Sequence, residues 1–310
     1  MHKPCRTLAV VPVRSFSPAI LATLAICLLG HAAEEPAGAK PVLELLFEGD
    51  LADTSLSKHA ATAHGPVTFV DGRQGRCASF DGQSWVDTGF PQEELGDEFT
   101  VECWVNPATG QSQHADVFGN HVGEGLGFVL QQDASNTNEF LAAYGAGAGR
   151  WVTTEAVPLT AGRWQHVALV KTREDLRVYL SGVLVAAEQD TAPVGRSPMP
   201  VAAGLGYSDP QRCFRGRIDD FRIWNKALTD FGHAGIDATA ARETRARCLQ
   251  ATPRPAAGAL AKSWTLATDD TRLTLGVTAA GEMVVSELSC PASGWNWITN
   301  PVPFGFWSRA

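Results

Sequence analysis

Hydrophobic and polar positions alternate in short runs along most of the chain, and turn-forming residues separate the runs. The stretch 99–105 is the clearest case, with Val101, Cys103 and Val105 on one face and Glu102 and Trp104 on the other. A period of two marks a strand with one face toward a core. Similar runs lie at 42–47, 73–80, 84–90, 127–133, 139–145, 151–157, 164–171, 176–182, 183–189 and 217–228, and Asp71-Gly72 and Asp81-Gly82 supply two turns. About a dozen short strands with no helical period between them predict an antiparallel β-sandwich or barrel, not a parallel α/β fold. Residues 228–248 are rich in alanine and charge and predict a short helix. Residues 251–262 (ATPRPAAGALAK) read as a linker. Strand alternation returns at 264–287, followed by an aromatic, proline-rich stretch.

The N-terminus has a different pattern. Lys3, Arg6 and Arg14 precede an apolar run at 18–30 that is short for a bilayer span, and Gly30-His31-Ala32-Ala33 offers small residues for cleavage. Residues 1–33 are therefore expected to be a secretory signal peptide, with no membrane span left after cleavage. Export places the protein outside the cytoplasm: secreted, periplasmic or at the cell surface.

Composition sharpens the class. Apolar residues make up 45% of 310 positions, enough for a large core, and nine Trp against three Met suit sheets better than a helical bundle. Losing the three basic residues of the signal moves the formal charge from −8 to −11. A phosphate backbone would be repelled, which excludes nucleic acid as a partner. Neutral sugars and divalent cations fit that charge. Five cysteines remain after residue 33, an odd number with no Cys-x-x-Cys pair, so no zinc ribbon is expected.

The segments LFEGDLADTS, GRCASFDGQSWVDTG, EFTVECWVNP, LTAGRWQHVALVKTREDLRVYLSGVLV and FRGRIDDFRIWNKAL follow one another over 42–228. In that order they resemble LamG-like jelly rolls of the concanavalin A-like lectin/glucanase superfamily, laminin G type. Cys77 stands where the family often has Ala, and Trp224 where it often has Tyr. The resemblance implies an all-β, antiparallel jelly-roll β-sandwich over 41–232, a helix and linker at 233–263, and an incomplete strand-rich segment at 264–310. WTLATDDTRLTLGV and LSCPASGWNW in that tail are similar to the opening β domain of exported α-galactosidase-like glycosidases. The expected function is an exported, non-catalytic binding module for a glycan or cell-surface ligand, of carbohydrate-binding or adhesion type. The alternatives are the accessory part of a truncated glycoside hydrolase and a structural spacer in a surface protein.

Candidate residues follow from these readings. Trp104, Trp164 and Trp224 lie in the best-matched strands and are expected to pack against sheet or core. Trp85, Tyr144, Trp151 and Tyr207 sit nearer glycine-rich turns, where an exposed ring could stack on a sugar. His166 is expected to be a hydrogen-bonded sheet residue. His114, Asp116, Asn120 and His121 belong to a long glycine-rich loop, where function tends to sit. Asp219-Asp220 invites a glycosidase reading, but adjacent strand residues face opposite ways unless a bulge intervenes. The first and last strands of such a jelly roll lie close together, so Glu48, Asp53 and Asp219, backed by Asp50 and Asp220, are candidate ligands for a structural Ca2+.

Overall fold

The computed structural model describes residues 40–205, 209–251, 260–268, 271–277, 283–290, 295–296 and 302–303. The expected signal peptide, Tyr207 and most of the expected linker lie outside these residues. Sixteen strands run between Leu43 and Trp224: β1 (Leu43–Leu45), β2 (Thr62–His64), β3 (Thr68–Asp71), β4 (Arg76–Asp81), β5 (Trp85–Asp87), β6 (Phe99–Pro107), β7 (Asp116–Gly119), β8 (Phe128–Gln132), β9 (Glu139–Gly145), β10 (Trp151–Thr153), β11 (Val157–Pro158), β12 (Gln165–Lys171), β13 (Asp175–Leu180), β14 (Val183–Gln189), β15 (Ala202–Ala203) and β16 (Arg215–Trp224). They form two antiparallel eight-stranded sheets. The first has the order β14-β13-β12-β6-β16-β4-β3, with β1 also on β16; the second has the order β10-β9-β8-β7-β15-β5-β2, with β11 also on β9. Neighbours far apart in sequence, such as β6 beside β16, make this a jelly-roll sandwich.

The core lies between the two inner faces. Val101, Cys103 and Val105 of β6 and Val167 and Leu169 of β12 meet Phe128 and Leu130 of β8 and Phe140, Ala142 and Tyr144 of β9. Aromatic pairs bridge the sheets: Phe99 to Phe128 at 4.9 Å and Phe118 to Phe221 at 5.9 Å between centroids. Tilted and edge-on ring contacts of this kind add to what burial alone contributes.

The outer face of the first sheet is also buried at its centre, which alternation alone does not predict. A strap over residues 225–237 crosses it, packing Leu228, Phe231 and Ala234 on Ala168, Val170, Tyr179 and Trp224. Beneath the strap Glu102 has no exposed surface. His166 Nε2 and Trp224 Nε1 donate to its carboxylate at 2.9 and 2.7 Å, and His233 Nε2 of the strap donates at 2.6 Å. Burial alone would raise the Glu102 pKa; the hydrogen bonds from His166 and His233 outweigh it and hold the carboxyl well below the usual range. Further ties are Trp104 Nε1 to Ala234 O at 3.1 Å, Leu228 N to Thr100 Oγ1 at 2.9 Å, and Arg73 Nη2 to Gly235 O at 2.5 Å. Trp104 and Trp224 thus pack on the sheet as expected, and His166 is the hydrogen-bonded sheet residue its position implied.

The helix α1 (Ala238–Ala251) follows, later than the sequence placed it, because Asp237 accepts from Thr239 N at 2.8 Å and so caps the start. Beyond it, β17 (Lys262–Ala267), β18 (Arg272–Val277), β19 (Met283–Cys290), β20 (Trp295–Asn296) and β21 (Val302–Pro303) form a separate five-stranded sheet.

Replacing Glu102 by Ala leaves three donors without their acceptor beneath the strap. Glu102→Ala is expected to lower the unfolding free energy by about 3 kcal/mol, measured by urea denaturation at neutral pH.

Candidate functional site

With the centre of the first sheet covered, the outer face of the second sheet is the surface on which the candidate aromatics can be compared. On β9, Phe140, Ala142 and Tyr144 point into the core, so Tyr144 is fully buried. Its hydroxyl donates to Asp190 Oδ1 at 2.8 Å. Tyr144 therefore presents no ring to a ligand, and that expectation is corrected by strand parity: the turn nearby is exposed, the side chain is not. Trp85 on β5 faces outward, half-buried, and stacks on His64 of β2 at 4.7 Å with the planes 7° apart. The cavity beside it, bounded by Trp85, Asp87, Gly119 and Ala202 among others, has about 30 Å3, room for a water but not for a sugar ring.

Trp151 is different. Its neighbour Val152 is in the core, so Trp151 faces out from β10, with 37% of its surface exposed. The His121 ring meets it edge-on, at 5.7 Å and 87°. Arg212 Nη1 lies 3.1 Å from His121 Nε2. A guanidinium only donates, so Nε2 accepts and the imidazole proton sits on Nδ1. Burial, then the charges of Arg212 and His114, push the His121 pKa down to about 3, and the ring is neutral at physiological pH. On the hairpin side, Arg150 pairs with Asp190 at 2.6 Å and fixes the residue before Trp151.

Glycines set the loops around this ring. Gly127 N donates to Gly195 O, Gly195 N to Gly145 O and Gly145 N to Gly127 O, at 2.7, 2.7 and 2.8 Å. A side chain at Gly145 would collide with the backbone of Gly125. Three backbones meet where no Cβ fits, and the loop bearing His121 is laid against the hairpin bearing Trp151. Asn120 and Ser197 anchor the loop below, both hydrogen-bonded to Gln92 Oε1. Asp116 is buried on β7 and bridges to Cys213, while His114 turns at a φ of 57°.

The acidic candidates divide. Asp53 is buried, and its carboxylate accepts from Glu44 N, Ser55 N, Ser55 Oγ and His59 N, all within 3.0 Å. Asp50 accepts from Ala52 N within its own turn. Glu48 and Asp219 converge on one turn from opposite ends, accepting from Arg76 N at 2.9 Å and Arg73 N at 3.2 Å. Asp220 pairs with Arg222 at 2.9 Å. Backbone N–H groups thus reach four of these five carboxylates, and among the described residues no group of three or more His, Cys, Asp or Glu is gathered to hold a metal ion. The five carboxylates are distributed over three places: Glu48 and Asp219 share the 71–76 turn, Asp50 and Asp53 serve their own loop, and Asp220 pairs with Arg222.

The bulge that could bring Asp219 and Asp220 to one face is present. The register of β16 on β6 slips between Asp219 and Arg222, and Asp220 has a φ of 50°. Asp219 is nonetheless 3% exposed, tucked under the 71–76 turn. The described thiols are unpaired and buried: burial pushes Cys77 up to about 11 and Cys213 up to about 12, so neither is a nucleophile at neutral pH.

Residues 80–230 match the Laminin_G_3 family model, described as the concanavalin A-like lectin/glucanases superfamily. This stretch is a laminin G-type jelly roll of that superfamily. No curated protein sequence matches the chain. Among solved structures it is similar to domain 4 of AbnA, a GH43 extracellular arabinanase from Geobacillus stearothermophilus, in complex with arabinotriose, at 21% identity over 62% of this chain and 95% of that one, with a TM-score of 0.49. It is also similar to the binding domain of Paraclostridial Mosquitocidal Protein 1 (15% identity, 79% of this chain, 63% of that chain, TM-score 0.48). A third is the binding domain of botulinum neurotoxin DC in complex with SialylT (11% identity, 79% of this chain, 65% of that chain, TM-score 0.46). The chain spans less than two thirds of either toxin domain.

Burial, then the nearby Asp220 charge, raises the Asp219 pKa to about 7. In the unfolded chain the same group ionises near 3.9. Below about pH 4 it is protonated in both states and costs nothing. As pH rises toward 7 the unfolded chain sheds its proton first, and the folded state loses stability relative to it. Asp219→Asn keeps an acceptor for Arg73 N without the charge. Its melting temperature should match wild type near pH 4 and exceed it at pH 8, in paired thermal melts.

Proposed function

We propose that this chain is an exported, non-catalytic carbohydrate-binding module that lays a glycan across Trp151. The observation that carries this reading is an indole with 37% of its surface exposed, on a strand whose next residue is core, held edge-on by a buried neutral histidine. A confined aromatic ring on the outside of a sheet offers a pyranose the apolar contact it can make through its C–H groups. A surface platform of this kind suits an extended glycan better than a small molecule, which needs an enclosing cleft. The superfamily description, which joins lectins with glucanases, is consistent with a sugar ligand. The non-catalytic part rests on the carboxylate pair that the sequence offers: Asp219 is given over to a turn and Asp220 to Arg222. Export rests on the N-terminal pattern alone; among the described residues no helix is long and apolar enough to cross a membrane.

The test is a glycan array probed with the whole chain, followed by calorimetry on the best saccharide. Trp151→Ala should weaken binding by roughly tenfold or more, about 1.4 kcal/mol, with the melting temperature unchanged because the ring is on the surface. Trp85→Ala should leave binding within about twofold. Retention of full affinity in Trp151→Ala would overturn the role given to that ring, and no saccharide bound at all would sink the reading in favour of a spacer.

A further inference from the structure

A second open surface lies on the first sheet, beyond the end of the strap. On its outer face Ser79 of β4, Arg217 of β16 and Asn106 of β6 form one cross-strand row, and Arg215 stands two residues along on the same side. These residues, with Pro107 and Gly162, line a groove of about 350 Å3. That volume falls within the usual range of about 300–1,000 Å3 for ligand sites. Both arginines are exposed.

Among the described residues, the groove is lined by two guanidinium groups and no carboxylate. Arg150, Arg163, Arg177 and Arg222 each pair with a carboxylate. Arg215 and Arg217 form no ion pair among the described residues, on a chain with a formal charge of −8. Asp81 is the acid directly across from Arg215, but its Oδ1 accepts from Gln83 N and Ser84 Oγ at 2.8 and 2.9 Å. The backbone that carries the arginines is fixed. Arg215 N donates to Gln111 Oε1 at 3.0 Å, and Arg215 O accepts from Ala108 N at 3.0 Å. The Arg215 guanidinium lies along the Gly82 turn, 3.4 Å from where a Cβ there would stand, so the absence of a side chain at 82 leaves it room.

We propose that this groove binds the carboxylate or sulfate group of an acidic saccharide, at a site separate from Trp151. Two guanidinium forks match a planar or tetrahedral oxyanion bidentately, and the Asn106 amide and Ser79 hydroxyl are placed for ring hydroxyls. An acidic peptide fits less well. Peptides recognised on sheets add as a strand to a free edge. Here β4 is already flanked by β16 and β3, and β6 by β16 and β12. A saccharide needs no such edge.

The probes are trigalacturonate, its methyl ester, a sulfated chondroitin disaccharide and hexaglutamate, titrated into the whole chain by calorimetry. The acidic saccharides should bind, and more weakly as ionic strength rises, since exposed charges are screened within about 8 Å at physiological salt. Trigalacturonate alone binding assigns the groove to carboxylate; the sulfated disaccharide alone assigns it to sulfate. Replacing both Arg215 and Arg217 by Ala should weaken the acidic saccharide by roughly tenfold or more, with the melting temperature unchanged. Asn106→Ala, which leaves both charges in place, should also weaken it. Trp151→Ala should leave it as in wild type. Equal binding of trigalacturonate and its methyl ester, wild-type affinity in the double variant, or hexaglutamate binding as tightly as the saccharides would each overturn the proposal.

Discussion

A carboxylate with no exposed surface sits in the middle of an outward-facing sheet, and much of the architecture answers to it. Glu102 cannot be left without partners, since an unpaired buried charge costs several kcal/mol. Two of its donors, His166 and Trp224, come from β12 and β16 beside it. The third, His233, comes from 131 residues further along the chain. Satisfying Glu102 therefore draws residues 225–237 down across the sheet, and Phe231, Leu228 and Ala234 are buried as a consequence. Trp224 meets the carboxylate through its indole N–H, while its ring packs under the strap.

The closed strap also decides which surfaces remain open. Near its end it is tied at Gly235 by Arg73, whose guanidinium lies 3.9 Å over the Trp104 ring. Past that point the outer face of the first sheet reopens at Asn106 and Arg217. The outer face of the second sheet bears Trp151 on β10. The two open surfaces thus lie on opposite sides of one sandwich, one neutral and aromatic, the other cationic. They differ in the chemistry they can recognise, and a single short ligand cannot reach both.

The strands were legible because a period of two survives even where both faces are buried: Val101, Cys103 and Val105 read as core and are core. Parity could also have removed Tyr144 from the candidates, since it shares a phase with Phe140 and Ala142; its neighbourhood of glycines hid that. What alternation could not convey is what covers an outer face. Glu102 and Trp104 look like solvent-side residues in β6 until a segment over a hundred residues away is folded onto them. The carboxylates at 48, 53 and 219 were correctly seen as near strands that meet, for β1 does pair with β16. Their destinations were not readable, because which backbone N–H a carboxylate caps depends on turn geometry. The bulge at Asp220 is of the same kind, a change of register with no fixed residue signature.

His121 and Arg212 illustrate how the exposed Trp151 ring is held in place. An open face removes little area from water when a sugar docks, so its affinity depends on how little must be ordered on binding. An indole free to rotate would lose that freedom with each ligand. Here the ring is already confined, by an imidazole on its edge and an ion pair at the preceding residue. The imidazole is itself set by Arg212 and by a loop whose glycines touch backbone to backbone. Flexible residue types thus produce a stiff site: each glycine permits a contact that no other side chain would allow, and the contacts remove the freedom that glycine brings.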